Sequence, residues 1–484
     1  MPRLIGPHRL AAALAGALIV ALPGAAAGQS SQPPLAQPSY VAVPDSLLRD
    51  PRAGTLHHAA PPDSLAIASP DSTVADPITV SPATARRDYI AEVRAAFTAE
   101  NRAYSGTRTV LAFFGPFYDL LIALVILFSG LSAALRNIAH GLGHRLYVRV
   151  LVFLALYTVA DFVLGFPLAC YRGYALEHQY GLSTQSLGAW FADQGKDAAV
   201  GVIVFGLVPI LWLAYRAIQM WPRHWWLAVA SGTLPLIVAG TLLQPLVIDP
   251  LYNTFTPLRD QQLKERILDL AARAEIPGRN VYEVNKSAQT RKYNAYVSGF
   301  GPSQRIVLWD TMLRGMDEDE ILFVMGHEMG HYRLGHIWKG IAVFSVLSFF
   351  FFFLVWRLAA WAVERFGTHW GFTDLGDVAS IPLLAAIVSL LAMLTQPTVN
   401  GFSRAIEHEA DVFAAEVTRD NDAGARSFLK LGAQNKSNPE PSRFVKLFLY
   451  THPPLIERVR FVLEYRPWEQ GKANRYFRGK PAGP

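Results

Sequence analysis

The run Val324-Met325-Gly326-His327-Glu328-Met329-Gly330-His331 places two histidines four residues apart, with a glutamate beside the first. On an α-helix that spacing stacks the two rings one turn apart, so one nitrogen of each can reach the same cation. Neutral imidazole is a good zinc ligand, and Glu328 is set to face a water at the metal, take its proton and pass it to a leaving amine. The chemistry this implies is zinc-assisted hydrolysis with one Zn2+ per chain. The bland alternative is a structural histidine pair, and three ionisable groups beside apolar spans argue against it.

A catalytic zinc needs a third protein ligand and an open position. A third histidine six residues after His331 would supply one compactly, but that residue is Ile337, and His336 would point away if the helix continues. The better candidate lies in Ser403-Arg404-Ala405-Ile406-Glu407-His408-Glu409-Ala410-Asp411. On a helix Glu407 and Asp411 share a face, with Glu409 nearly opposite. Glu407 completes a two-histidine, one-glutamate site, and Asp411 can accept the outer N–H of a liganding histidine. Small Ala410 lets the two helices approach closely. A second histidine pair, His140-Gly141-Leu142-Gly143-His144, lacks the glutamate and is broken by glycine, so it reads as a polar loop.

The elements that must carry these residues are membrane helices. Of 484 residues 51% are hydrophobic and only 17% charged, against roughly 25% charged in soluble domains. The net charge of +6 is spread without a basic tract, so nucleic acid is not an expected partner. The single cysteine, Cys170, excludes an intrachain disulfide framework and reads as a buried thiol. Residues 1–28 have the pattern of an export signal, with Arg3 and Arg9, an apolar Leu10–Leu22 and small Ala25-Ala26-Ala27. Residues 29–84, with Pro-Asp-Ser recurring at Pro44, Pro62 and Pro70, read as a disordered leader. A short charged helix over about 86–102 leads into the membrane.

Six apolar runs are long enough to span a bilayer: 109–135, 148–170, 197–217, 224–246, 337–362 and 378–400. The chain therefore divides into an N-terminal membrane domain (85–246, four spans), a first catalytic block (247–336), spans five and six (337–400) and a second catalytic block (401–484). Two spans separate the blocks, so both lie on one side of the membrane and can build one site. Within the first block an amphipathic helix is expected over 259–275, strands near 281–284 and 306–309, with 293–300 between them. Asp317-Glu318-Asp319-Glu320 then opens the zinc-motif helix, acidic residues suiting its positive end.

With these motifs in order, the chain resembles the type I CAAX prenyl proteases, zinc-dependent membrane endopeptidases. The resemblance runs over about 110–465 and rests on Glu177-His178-Gln179-Tyr180-Gly181, on Asp249-Pro250-Leu251-Tyr252-Asn253 with Phe255-Thr256-Pro257-Leu258, on Asn294-Ala295-Tyr296, the two metal motifs and His452-Pro453-Pro454. It implies a mostly α integral membrane protein whose six spans match the family's last six of seven, arranged around a chamber. A gluzincin-type metallopeptidase domain with a small β element completes that fold class. It also implies that Asn294 holds the substrate backbone and that His452 stabilises the oxyanion; from residue type alone, Asn294 is a turn residue and His452 a pre-proline loop residue. Arg458 is expected to pair with a nearby carboxylate, and with Asp411 to support the metal ligands from outside.

The expected partners are a peptide or protein substrate, prenylated or otherwise membrane-associated, and the lipid bilayer of the cell membrane. A cleaved signal would put both blocks outside. Arg86, Arg87, Arg94, Arg102 and Arg108 before the first span, and the family resemblance, favour the cytoplasmic side. The alternatives are a site-two-type intramembrane protease, a membrane quality-control peptidase, and a non-enzymatic lipid- or peptide-binding chamber with structural zinc.

Overall fold

The computed structural model describes residues 87–201, 207–276, 280–298 and 305–479. The signal-like segment 1–28 and the leader 29–84 lie outside the described residues. Among those described, five helices are long and apolar enough to cross a membrane: Ala99–Phe128, Leu146–Gln179, Trp225–Tyr252, His336–Trp370 and Val378–Thr418. The run 197–217 straddles residues 202–206, outside the described set, with helices Leu187–Ala199 and Leu207–Met220 on either side.

The first apolar run is not one helix. Thr98 caps a new helix, α1 (Ala99–Phe128), its hydroxyl accepting the Asn101 N–H, so the helix starts ten residues before the apolar stretch. It stops where Gly130 takes a positive φ of 76°, and a separate short helix, α2 (Leu131–Leu142), follows. The charged entry likewise divides, Tyr89–Ala96 being its own helix. Span residues pack into one apolar cluster that includes Phe153, Tyr157, Tyr215, Phe352 and Val355. Val110, Phe117, Leu121, Val159, Val346 and Phe350 are exposed, as suits side chains facing lipid rather than water.

A four-stranded sheet lies between the fourth and fifth runs, with β1 (Phe255–Pro257), β2 (Val281–Val284), β3 (Ala295–Ser298) and β4 (Arg305–Trp309) in the order β1-β2-β4-β3. β2 and β4 are parallel, joined through Val281↔Ile306 and Val284↔Trp309, while β3 runs antiparallel to β4 with Tyr296↔Val307 and forms an edge. The amphipathic helix α3 (Gln261–Arg273), capped by Asp260, buries Leu263, Ile267 and Leu270 in the cluster that also holds the sheet and Met325 and Met329. The sheet thus backs the zinc-motif helix.

That helix, α4 (Glu318–Arg333), begins with a capping box: Asp317 and Glu320 satisfy each other's backbone N–H groups, the Asp317 N–H lying 2.8 Å from Glu320 Oε2. It ends at Gly335, whose φ of 66° turns the chain into α5 (His336–Trp370). The last long helix, α6 (Ile381–Thr418), is unbroken from its apolar start through the second metal motif. Its 38 residues extend about 57 Å at the usual rise, enough to leave a bilayer core and still reach α4.

Candidate zinc site

Helices α4 and α6 cross where both are small. A Cβ on Gly330 would stand 3.1 Å from Phe413 Cβ and 3.2 Å from Ala410 Cα; one on Gly326 would stand 3.5 Å from Ala414 Cα. The glycines of the motif and the alanines of the facing helix therefore set the separation that lets side chains from both helices meet.

They meet at His327, His331 and Glu407, all buried, with one potential ligand atom from each lying within 4.8 Å of the others. His327 Nε2 is 3.1 Å from His331 Nε2 and 3.2 Å from Glu407 Oε2, and His331 Nε2 is 3.5 Å from Glu407 Oε1. Of the expected outer residues, Asp411 lies 2.8 Å from His327 Nδ1. Arg458 holds both Asp411 oxygens, at 2.8 Å through Nε and 2.6 Å through Nη2, and its guanidinium sits 4.1 Å over the Phe428 ring. His452 Nε2 stands 3.0 Å from Glu407 Oε2, its other nitrogen 3.0 Å from Thr451 Oγ1.

The donor set fits zinc. A carboxylate accepts, so His327 donates through Nδ1 to Asp411 and its Nε2 faces inward. Glu407 Oε2 is buried with histidine nitrogens of His327 and His452 at 3.2 and 3.0 Å, yet none lies in the direction a hydrogen bond requires. Crowded ring nitrogens and an unsatisfied carboxylate oxygen call for a cation among them. Two imidazoles and one carboxylate are the ligands catalytic zinc takes when it keeps an open position. When bound, the ion supplies Lewis acidity toward a water and a carbonyl oxygen.

Glu328 is buried beside this cluster. Burial lifts its carboxyl to about 8, Glu407 adding to the effect while His327 and Arg458 oppose it. A carboxylate of raised basicity is suited to carry a proton near neutral pH. Burial disfavours a proton on His327, but its hydrogen bond to Asp411 and the negative charges of Asp411 and Glu407 outweigh it and raise that group to about 10.

Asn294 stands just ahead of edge strand β3, and β3 packs against α4. Its carbonyl accepts the Trp309 N–H at 3.1 Å. Among the described residues no hydrogen bond ties its side chain to the cluster. His140 closes α2 rather than lying in a loop, and among the described residues only His327, His331 and Glu407 form a metal-sized group.

One residue the sequence reading set aside is brought in. His336 does not point away, because the helix does not continue: Gly335 ends it with a positive φ, and His336 is fully buried with Nδ1 2.9 Å from His331 Nδ1. The signal was Leu334-Gly335, a glycine placed to end a helix. A second missed feature is a buried ion cluster away from the metal. Glu177 accepts from Tyr104 and Arg108 at 2.7 and 2.9 Å through one oxygen and from Lys292 at 2.9 Å through the other. It ties α1 to the segment that leads into β3, and the motif around Glu177 was its only trace in the sequence.

Membrane-crossing helices with a buried two-histidine, one-glutamate cluster and an adjacent glutamate define a membrane zinc metallopeptidase. Residues 257–466 match peptidase family M48, and residues 88–254 match the CAAX prenyl protease N-terminal region, described as five membrane helices. The chain is 34% identical to an uncharacterized metalloprotease, YhfN, of Bacillus subtilis, over 74% of this chain and 83% of that one. It is 30% identical to the CAAX prenyl protease 1 homolog of Caenorhabditis elegans, over 66% and 77%. The crystal structure of Ste24p from S. mikatae shares the fold, with a TM-score of 0.67 at 24% identity, covering 77% of this chain and 89% of that one. The chain belongs to peptidase family M48, in the type I CAAX prenyl protease family.

Proposed function

We propose that this protein cleaves peptide bonds near the C-terminus of prenylated or other membrane-associated polypeptides, from the cytoplasmic face of the cell membrane. The observation that carries the reading is the meeting of His327, His331 and Glu407 beside Glu328. In this reading those three hold zinc and Glu328 takes a proton from the attacking water and delivers it to the leaving amine. His452, next to Glu407, donates to the oxyanion. Asn294 and edge strand β3 hold the substrate in extended form, as an added strand. Asp411, gripped by Arg458, fixes the ring of His327. An intact general base favours a peptidase over a chamber with structural zinc, which would have no use for Glu328. The lipidated substrate class is supported by relatives named CAAX prenyl protease 1, and the cytoplasmic side by the arginines ahead of the first apolar run.

The test is cleavage of one C-terminal peptide, with and without a farnesyl group, by detergent-purified wild type and Glu328→Ala. Cleavage by wild type alone, of the farnesylated form alone, is the expected outcome. Equal cleavage of both forms would keep the peptidase and discard prenyl selectivity.

A further inference from the structure

The two zinc-motif histidines are held from behind in different ways. His327 donates directly to Asp411, a buried carboxylate locked by Arg458. Behind His331 stands a second imidazole, and only beyond that a carboxylate: His331 Nδ1 is 2.9 Å from His336 Nδ1, and His336 Nε2 is 3.0 Å from Glu409 Oε2. Lys339 Nζ meets the same Glu409 oxygen at 2.6 Å. The proton positions follow from the far end. Glu409 can only accept, so His336 donates from Nε2; with a single proton on that ring its Nδ1 accepts, and the short Nδ1–Nδ1 contact is closed by a proton donated from His331 Nδ1. That leaves the inward Nε2 of His331 bare, as a metal ligand requires. His336 has no exposed surface, whereas Glu409 and Lys339 reach solvent with 28% and 44% of their side chains exposed.

We propose that His336 is a positioning residue for His331, and that the relay His331–His336–Glu409–Lys339 fixes which nitrogen of the second ligand is offered to zinc. His336 is the first residue of α5, so the second ligand is oriented by the opening turn of a membrane helix while the first is oriented by α6. The inference rests on the zinc reading of the His327, His331 and Glu407 cluster.

It is tested by zinc affinity, from chelator competition on the full-length protein in detergent, alongside the melting temperature. His336→Phe keeps a ring but removes the acceptor, and is expected to weaken zinc binding by about 10–100-fold. His336→Asn restores an acceptor oxygen and is expected to stay within about threefold of wild type, on the view that the acceptor rather than the ring matters. Glu409→Ala, at the exposed end where folding is not at stake, is expected to lose about tenfold or less. Wild-type affinity in His336→Phe would overturn the proposal, as would equal losses in the Phe and Asn variants, which would mean packing alone. If His336→Phe does not fold, unchanged affinity in Glu409→Ala overturns the relay. A wild type that takes up no zinc would bring down the site reading and this inference together, whereas zinc-loaded variants of wild-type affinity would bring down only the inference.

Discussion

Arg458 grips Asp411 through both carboxylate oxygens, and Asp411 in turn receives the Nδ1–H of His327. The fork leaves Asp411 no freedom to rotate, so the ring it holds is fixed as well. Lysine cannot reproduce two parallel donors. Arg458→Lys is expected to weaken zinc binding by about tenfold or more, with the fold largely kept. Arg458→Met removes the partner of a buried charge, and a stability loss of about 3–5 kcal/mol is expected. Chelator competition and thermal melting separate the two effects.

Zinc affinity should rise with pH. His327, raised to about 10, holds a proton in metal-stripped protein throughout the neutral range, and zinc must displace it. Each unit of pH between about 6 and 8 is therefore expected to tighten apparent binding at least tenfold, with proton release on titration. The slope should flatten as pH approaches the raised value. An affinity independent of pH in that window would contradict the assignment of His327 as a ligand.

The crossing of α4 and α6 leaves no room at Gly330. A methyl there meets Phe413 Cβ and Ala410 Cα, atoms that cannot swing aside as a side-chain tip could. Alanine gains roughly 0.5–1 kcal/mol in helix preference, but overpacking costs about 1–3 kcal/mol. Gly330→Ala is thus expected to be destabilising on balance and to loosen zinc by separating His331 from Glu407. A melting temperature at or above wild type would show that the helices can part without cost.

The Glu177 cluster predicts an asymmetry. Glu177→Leu removes the buried carboxylate that Arg108 and Lys292 share, and a loss of about 3–5 kcal/mol is expected. Lys292→Met leaves the Arg108–Glu177 pair intact and should cost clearly less. Thermal melting of the two variants side by side decides it; equal losses would mean that the pairing to Lys292 dominates.

The sequence made the chemistry legible because helical spacing is a local property. His327 and His331 share a face by arithmetic, and so do Glu407 and Asp411, so a single contact between two helices assembles the cluster. Small Ala410 marked that contact, and the structure adds Gly326 and Gly330 on the facing helix. What was not legible depended on where helices end. Reading α4 as continuing past Gly335 sent His336 away from the metal, and a single positive φ brings it back. Reading 109–135 as one span overlooked Gly130 for the same reason. Long-range partners such as Glu177 with Lys292 carry no periodic signal and required the fold.

Everything proposed for the site depends on Glu407 of α6 completing the metal ligands that α4 supplies. The most direct measurement is zinc content per chain, by elemental analysis, of wild type, Glu328→Ala and Glu407→Ala purified identically. One zinc is expected in wild type and in Glu328→Ala, with zinc largely lost from Glu407→Ala. Full zinc in Glu407→Ala would contradict it.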